Sequence, residues 1–149
     1  MSTATNPNEN RWLLAEMGSM ASWSDFVLER PGGLSMRGKG FLGQRLGLTG
    51  VEVSLNAMAP GQSVPFSHAH KQNEELYLFL SGSGEMLLDH EIVKVGAGSA
   101  VRIKPEVVRC WRNTGEVPLT CVVVQAKAGS LEQATRSDGI VPPDPPRWP

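Results

Sequence analysis

Between Gly40 and Lys127 the chain is a succession of short runs, each stopped by a turn signal, and this punctuation restricts the fold more than any other feature. VEVSLNAM (Val51 to Met58) alternates apolar and polar residues and ends at Ala59-Pro60-Gly61. ELYLFL (Glu75 to Leu80) is apolar on both faces and ends at Ser81-Gly82. GEMLLD and EIVKV are separated by His90 alone, which reads as a tight hairpin corner. SAVRI runs up to Pro105, and VVRCWRN meets LTCVVVQA through TGEVP. Runs this short leave no room for helices of ordinary length, and strands with turn signals every 8–12 residues or so indicate an all-β sandwich or barrel. The 16 glycines and 11 prolines supply the turns.

The 149 residues fit one domain. Apolar residues make up 40% and charged residues 19%, the balance of a chain with a core rather than of a disordered one. A net charge of −1 gives no electrostatic reason to expect nucleic acid or an anionic membrane as partner. The start, MSTATNPNEN, lacks the basic and apolar regions of a signal peptide, and no run approaches the roughly 20 apolar residues of a membrane helix. Two cysteines without an export signal point to a reducing cytoplasm.

The expected division is an N-terminal extension packing on the barrel over 1–39, the barrel over 40–127, and a helical turn with a Pro-rich tail over 128–149. Met1 to Asn10 is polar and expected to fray. The apolar spacing in Arg11 to Arg30 partly fits a helix, which Ser24-Asp25 could cap before Pro31, although the same residues could dock as irregular structure. GSLEQATRS could form one helical stretch. IVPPDPPRWP must be extended, lying on its own barrel or on a partner subunit.

The chemistry concentrates in SHAHKQNEELYLFLSG (Ser67 to Gly82). In a strand, residues i and i+2 share a face, so His68 and His70 present two imidazoles to one side. Glu75 opens the next strand, and an antiparallel return would bring its carboxylate to the same ion. Two histidines and a carboxylate suit Fe, Mn, Ni or Zn. Tyr77 and Phe79 share parity with Glu75 and are expected to line the same cavity. The Tyr77 hydroxyl could donate to a bound oxygen or move a proton, or simply lie at the rim of the core.

Gly61, Pro65, His68, His70, Glu75 and Gly82, with six residues between the last two, resemble the first motif of the cupin superfamily. Gly98, Pro105 and Asn113 resemble the second. The resemblance spans roughly Gly50 to Gln125 and implies a double-stranded β-helix or jelly-roll barrel, usually a homodimer. It implies the metal set His68, His70 and Glu75, with a divalent ion as cofactor and a small molecule as substrate or ligand.

The second motif departs from the pattern, since no histidine is present where metal-binding relatives have one. Counting back from Asn113 places that position at Arg109; counting forward from Pro105 places it at Cys110. Strand parity groups Arg109 with Trp111 and opposes them to Arg112, which directs Arg109 into the pocket. Two arrangements follow. In one, the three ligands hold a metal with open positions and Arg109 grips a substrate carboxylate or phosphate. In the other, no metal binds and Arg109 pairs with Glu75. Arg102 lies near the mouth or in solvent, and His90 is exposed in its turn. If TGEV forms a two-residue hairpin, Cys110 faces Cys121 across strands on the outer face.

Three functions stay open at this point. They are a metal-dependent enzyme of oxygenase or isomerase type acting on a small anion, a metal-free binding module, and a barrel kept for assembly.

Overall fold

The computed structural model describes residues 3–5, 11–33, 35–133 and 135–148. Thr3–Thr5 (β1) pairs antiparallel with Leu13–Ala15 (β2), and Val27–Glu29 (β3) with Ser35–Arg37 (β4). The barrel strands are Lys39–Phe41 (β5), Glu52–Met58 (β6), Asn73–Ser81 (β7), Ser83–Leu88 (β8), Glu91–Gly96 (β9), Ala100–Ile103 (β10), Arg109–Asn113 (β11) and Leu119–Lys127 (β12). They form two antiparallel sheets, ordered β10-β7-β12-β6-β5 and β11-β8-β9. Their inner faces meet in one core, with Phe79 and Leu119 from the larger sheet against Met86 and Trp111 from the smaller. The expected all-β barrel of two packed sheets is therefore the observed one.

Local sequence explains the individual strands. Burial along β7 alternates, with Glu75, Tyr77 and Phe79 buried and their neighbours partly exposed, as a period of two requires. The β8–β9 corner is the tight turn that His90 suggested: Leu88 pairs with Glu91, and Asp89 turns the chain with φ of 52°. Between β7 and β8, Gly82 takes φ of 80°, and an added Cβ would lie 2.6 Å from the Pro118 carbonyl oxygen. Both faces of β6 are covered. Ser54 and Asn56 face the barrel cavity, while Leu55 and Ala57 pack under Trp23 and Phe26.

Several expectations are corrected. The residues around Ser24-Asp25 form no capped α-helix but a 3₁₀ segment, Met20–Asp25, in which Trp23 is buried. Residues three apart eclipse in that geometry, which helps Trp23 and the following Phe26 anchor on the same sheet face. Cys110 does not face Cys121: it pairs with Leu87 on β8, whereas Cys121 pairs with Asn56 and Phe79 and is fully buried. TGEVP is a crossing between sheets rather than a hairpin loop. Within and just after GSLEQATRS the chain forms one helical turn, Thr135–Asp138 (α1), with Ala134 outside the described residues. The tail stands clear of its own barrel, Ile140, Val141 and Trp148 being exposed. Of the N-terminal stretch expected to fray, Thr3–Thr5 is the strand β1, and the remainder lies outside the described residues. No described helix is long and apolar enough to cross a membrane.

Candidate metal and ligand site

The two histidines do not sit in a regular strand. His68 forms an isolated antiparallel bridge with Arg109, its N–H donating to the Arg109 carbonyl at 3.1 Å and its carbonyl accepting from the Arg109 N–H at 2.9 Å. The His70 N–H donates to the Pro105 carbonyl at 2.9 Å. The HxH segment is thus fastened to the edge of the smaller sheet, while Glu75 arrives on β7 of the larger one. The expected antiparallel return between the two is not what unites them; the packing of one sheet on the other does so. The imidazoles lie edge to face with centroids 5.3 Å apart.

Glu75 is buried and each of its oxygens has its own set of partners. Oε2 accepts from Arg109 Nε at 2.9 Å, from Arg109 Nη2 at 2.7 Å and from the Tyr77 hydroxyl at 3.1 Å. Oε1 lies 3.1 Å from His70 Nε2 and accepts from Gln125 Nε2 at 3.2 Å. Burial pushes the Glu75 carboxyl upward, but the hydrogen bonds and charge of Arg109, with those of His70, outweigh it and hold the group below the usual carboxylate range. Burial, assisted by the Arg109 charge, lowers His68 and favours its neutral form. Tyr77 is raised, first by burial and then by the Glu75 charge. Its hydroxyl therefore stays protonated and serves as a donor to Glu75.

Arg109 sits inside the barrel, on the Trp111 face of β11, while Arg112 is exposed and pairs with Glu85. The substrate grip expected of Arg109 is not what its geometry serves. Its side chain has no exposed surface, and its remaining donor, Nη1, is directed at the carbonyls of Val107 at 3.0 Å and Pro105 at 3.4 Å. It lies behind Glu75 and does not line the cavity. Tyr77 does line it, whereas Phe79 packs deeper, edge to face with Trp111. Arg102 pairs with Glu74 on the solvent side, and His90 is exposed.

In front of Glu75 opens a cavity of about 610 Å³, bordered by His68, His70, Tyr77, Gln125, Lys39 and Phe66. Gln125 and Lys39 carry no motif and were not expected. Only register reveals them: Gln125 stands opposite Glu75 on β12, and Lys39 opposite Asn56 on β5.

The residues present fit a divalent ion. One donor atom each from His68, His70 and Glu75 lies within 4.8 Å of the others. Ligands bonded at about 2.1 Å and at right angles are separated by about 3 Å, a spacing that His70 and Glu75 already have. His68 supplies the third donor within the same 4.8 Å, and its buried Nδ1 has no hydrogen-bond partner. Gln125 Nε2 lies 3.2 Å from both His70 Nε2 and Glu75 Oε1 and so bridges two members of the set.

The motif residues off the site hold its frame. Asn113 Nδ2 donates to the carbonyls of Met58 and Val117, both at 2.8 Å, and its Oδ1 accepts from the Gly115 N–H at 2.8 Å. Residues 54–125 match the family model described as a cupin domain. A protein of Methanocaldococcus jannaschii is 39% identical over 71 residues, 47% of this chain and 57% of that one, so the chain spans little more than half of that relative's length. The crystal structure of a cupin protein from Bacteroides fragilis is 39% identical, with a TM-score of 0.68 over 76% of this chain and 97% of that one. A Klebsiella pneumoniae protein with a double-stranded β-helix domain, at 22% identity and a TM-score of 0.58 over 78% and 94%, shares the fold. The chain belongs to the cupin family.

Proposed function

We propose that this cupin binds a divalent metal through His68, His70 and Glu75 and takes a small anionic molecule into the cavity before them. The observation that carries this reading is the two-sided environment of Glu75. Arg109 and Tyr77 hold Oε2 from behind, while Oε1 faces His70 and Gln125, and the buried Nδ1 of His68 has no partner. A buried polar atom without a partner costs about 1–3 kcal/mol, and a cation bound through Nδ1 would remove that cost.

The ion pair between Arg109 and Glu75 is also what a metal-free binding module would contain. It engages one oxygen only, however, and leaves Oε1 to His70 and Gln125 on the cavity side. A bound metal would supply Lewis acidity and open positions for an oxygen of the ligand. The residues of the chain do the rest. Arg109 and Tyr77 keep the Glu75 carboxylate ionised and oriented, Gln125 bridges Glu75 Oε1 and His70 Nε2, and the Phe66 side of the cavity keeps the ligand apart from bulk water. Arg109 in this reading is a positioning residue, and the anion is met by other groups.

Elemental analysis of the purified, untagged protein beside a His70→Ala variant tests the proposal. Near-stoichiometric Fe, Mn, Ni or Zn that disappears in the variant is expected. Absence of metal after reconstitution with all four would overturn it in favour of the metal-free binder.

A further inference from the structure

Lys39 projects from β5 into the cavity and belongs to no motif. Its ammonium donates to Asn56 Oδ1 at 3.1 Å and to Ser54 Oγ at 3.4 Å, and lies 5.1 Å from the centre of the Phe41 ring. Asn56 is held in turn, its Nδ2 donating to the Ser54 carbonyl and to Ser54 Oγ, both at 3.1 Å. Among the described residues no carboxylate lies within ion-pair distance of Lys39. Burial therefore lowers its pKa, offset only in part by Cys121, Glu75 and Glu52 at longer range.

Counting donors shows what this arrangement leaves over. An ammonium has three N–H groups, and two are engaged. Ser54 Oγ accepts from both Lys39 and Asn56, so its acceptor capacity is filled and its O–H remains to donate. One N–H and one O–H on adjacent strands, both on the cavity wall, match the two oxygens of a carboxylate. A phosphate, with three oxygens and a higher charge, asks for more donors than these two.

We propose that Lys39 and Ser54 form the subsite that receives a carboxylate of the ligand, so that the ligand is a small carboxylic acid lying between this pair and His68, His70 and Glu75. This deepens the function proposed above and rests on it only for the second anchor. The carboxylate subsite itself needs no metal.

Malonate is the probe, with glycerol 3-phosphate as its counterpart, each titrated calorimetrically into chelator-stripped and zinc-reconstituted protein. Lys39→Met is expected to weaken malonate binding about ten- to a hundredfold in both forms, and Ser54→Ala about three- to tenfold, with zinc stoichiometry unchanged. In the wild-type protein, malonate should also slow acylation of Lys39 by a soluble active ester, read by mass spectrometry. Lys71, Lys94, Lys104 and Lys127 are exposed and serve as internal references. That measurement decides the matter if Lys39→Met does not fold. Malonate binding that survives Lys39→Met, unchanged acylation of Lys39, no malonate binding to either wild-type form, or tighter binding of glycerol 3-phosphate would each overturn the subsite. Loss of zinc binding with the malonate effects intact would instead refute the metal site and leave this inference standing.

Discussion

Strand β11 carries two arginines that pair with glutamates, one on each face, and the two contacts are nearly identical in geometry but not in burial. Arg109 Nη2 lies 2.7 Å from Glu75 Oε2, and Arg112 Nη2 lies 2.6 Å from Glu85 Oε2. In both, the guanidinium Nε also donates to the same oxygen at 2.9 Å. Side-chain exposure is 0% and 5% for the inner pair and 58% and 20% for the outer one. In water the outer charges are already well solvated, and closing the pair gains little. Inside the barrel each charge has lost its hydration, and only its partner and a few donors replace it. The same contact is thus a surface decoration on one face and, on the other, the element that fixes an ionised carboxylate beside two histidines.

The comparison breaks most visibly at Arg109. Replacing it with alanine strands a buried carboxylate and should cost about 3–5 kcal/mol in urea denaturation. A loss below 1 kcal/mol would mean that water reaches Glu75. The same pair should govern acid behaviour in the metal-free protein. The Glu75 carboxyl is depressed on folding, so its contribution is complete above the unfolded carboxylate pKa and disappears as pH falls through the lower folded value. Stability measured against pH should therefore fall through the acid range, and Arg109→Ala should flatten that dependence. Tyr77→Phe, which removes one donor to Oε2, should cost about 0.5–1.5 kcal/mol and weaken metal binding about 10- to 100-fold, read by competition with a chelating dye. Arg112→Ala should change stability by about 0–1 kcal/mol and leave metal binding alone. In the folded protein, iodoacetamide at pH 8 should modify Cys110 well before Cys121, which is enclosed in the core and whose thiol is pushed up to about 12 by burial.

The strands and the local hairpin were legible because period and turn chemistry act over a few residues. Leu88 and Glu91 meet around Asp89-His90 as the spacing requires. The partner of β11 was not legible. A hairpin rule joins Cys110 to Cys121, but the sandwich places β11 beside β8 and β12 between β6 and β7, and that exchange depends on distant core contacts. The site divides in the same way. His68, His70 and Glu75 could be read from their spacing, and parity placed Arg109 indoors. What Arg109 does indoors depended on where Glu75 would point. Lys39, Ser54 and Gln125 are ordinary polar residues until strand register brings them to the cavity.

The most direct test is anomalous diffraction from crystals of the protein loaded with manganese. The account predicts one strong peak within bonding distance of His68, His70 and Glu75 Oε1, with Arg109 and Tyr77 still on Oε2. No peak there, or an ion held by both Glu75 oxygens with Arg109 displaced, would contradict it.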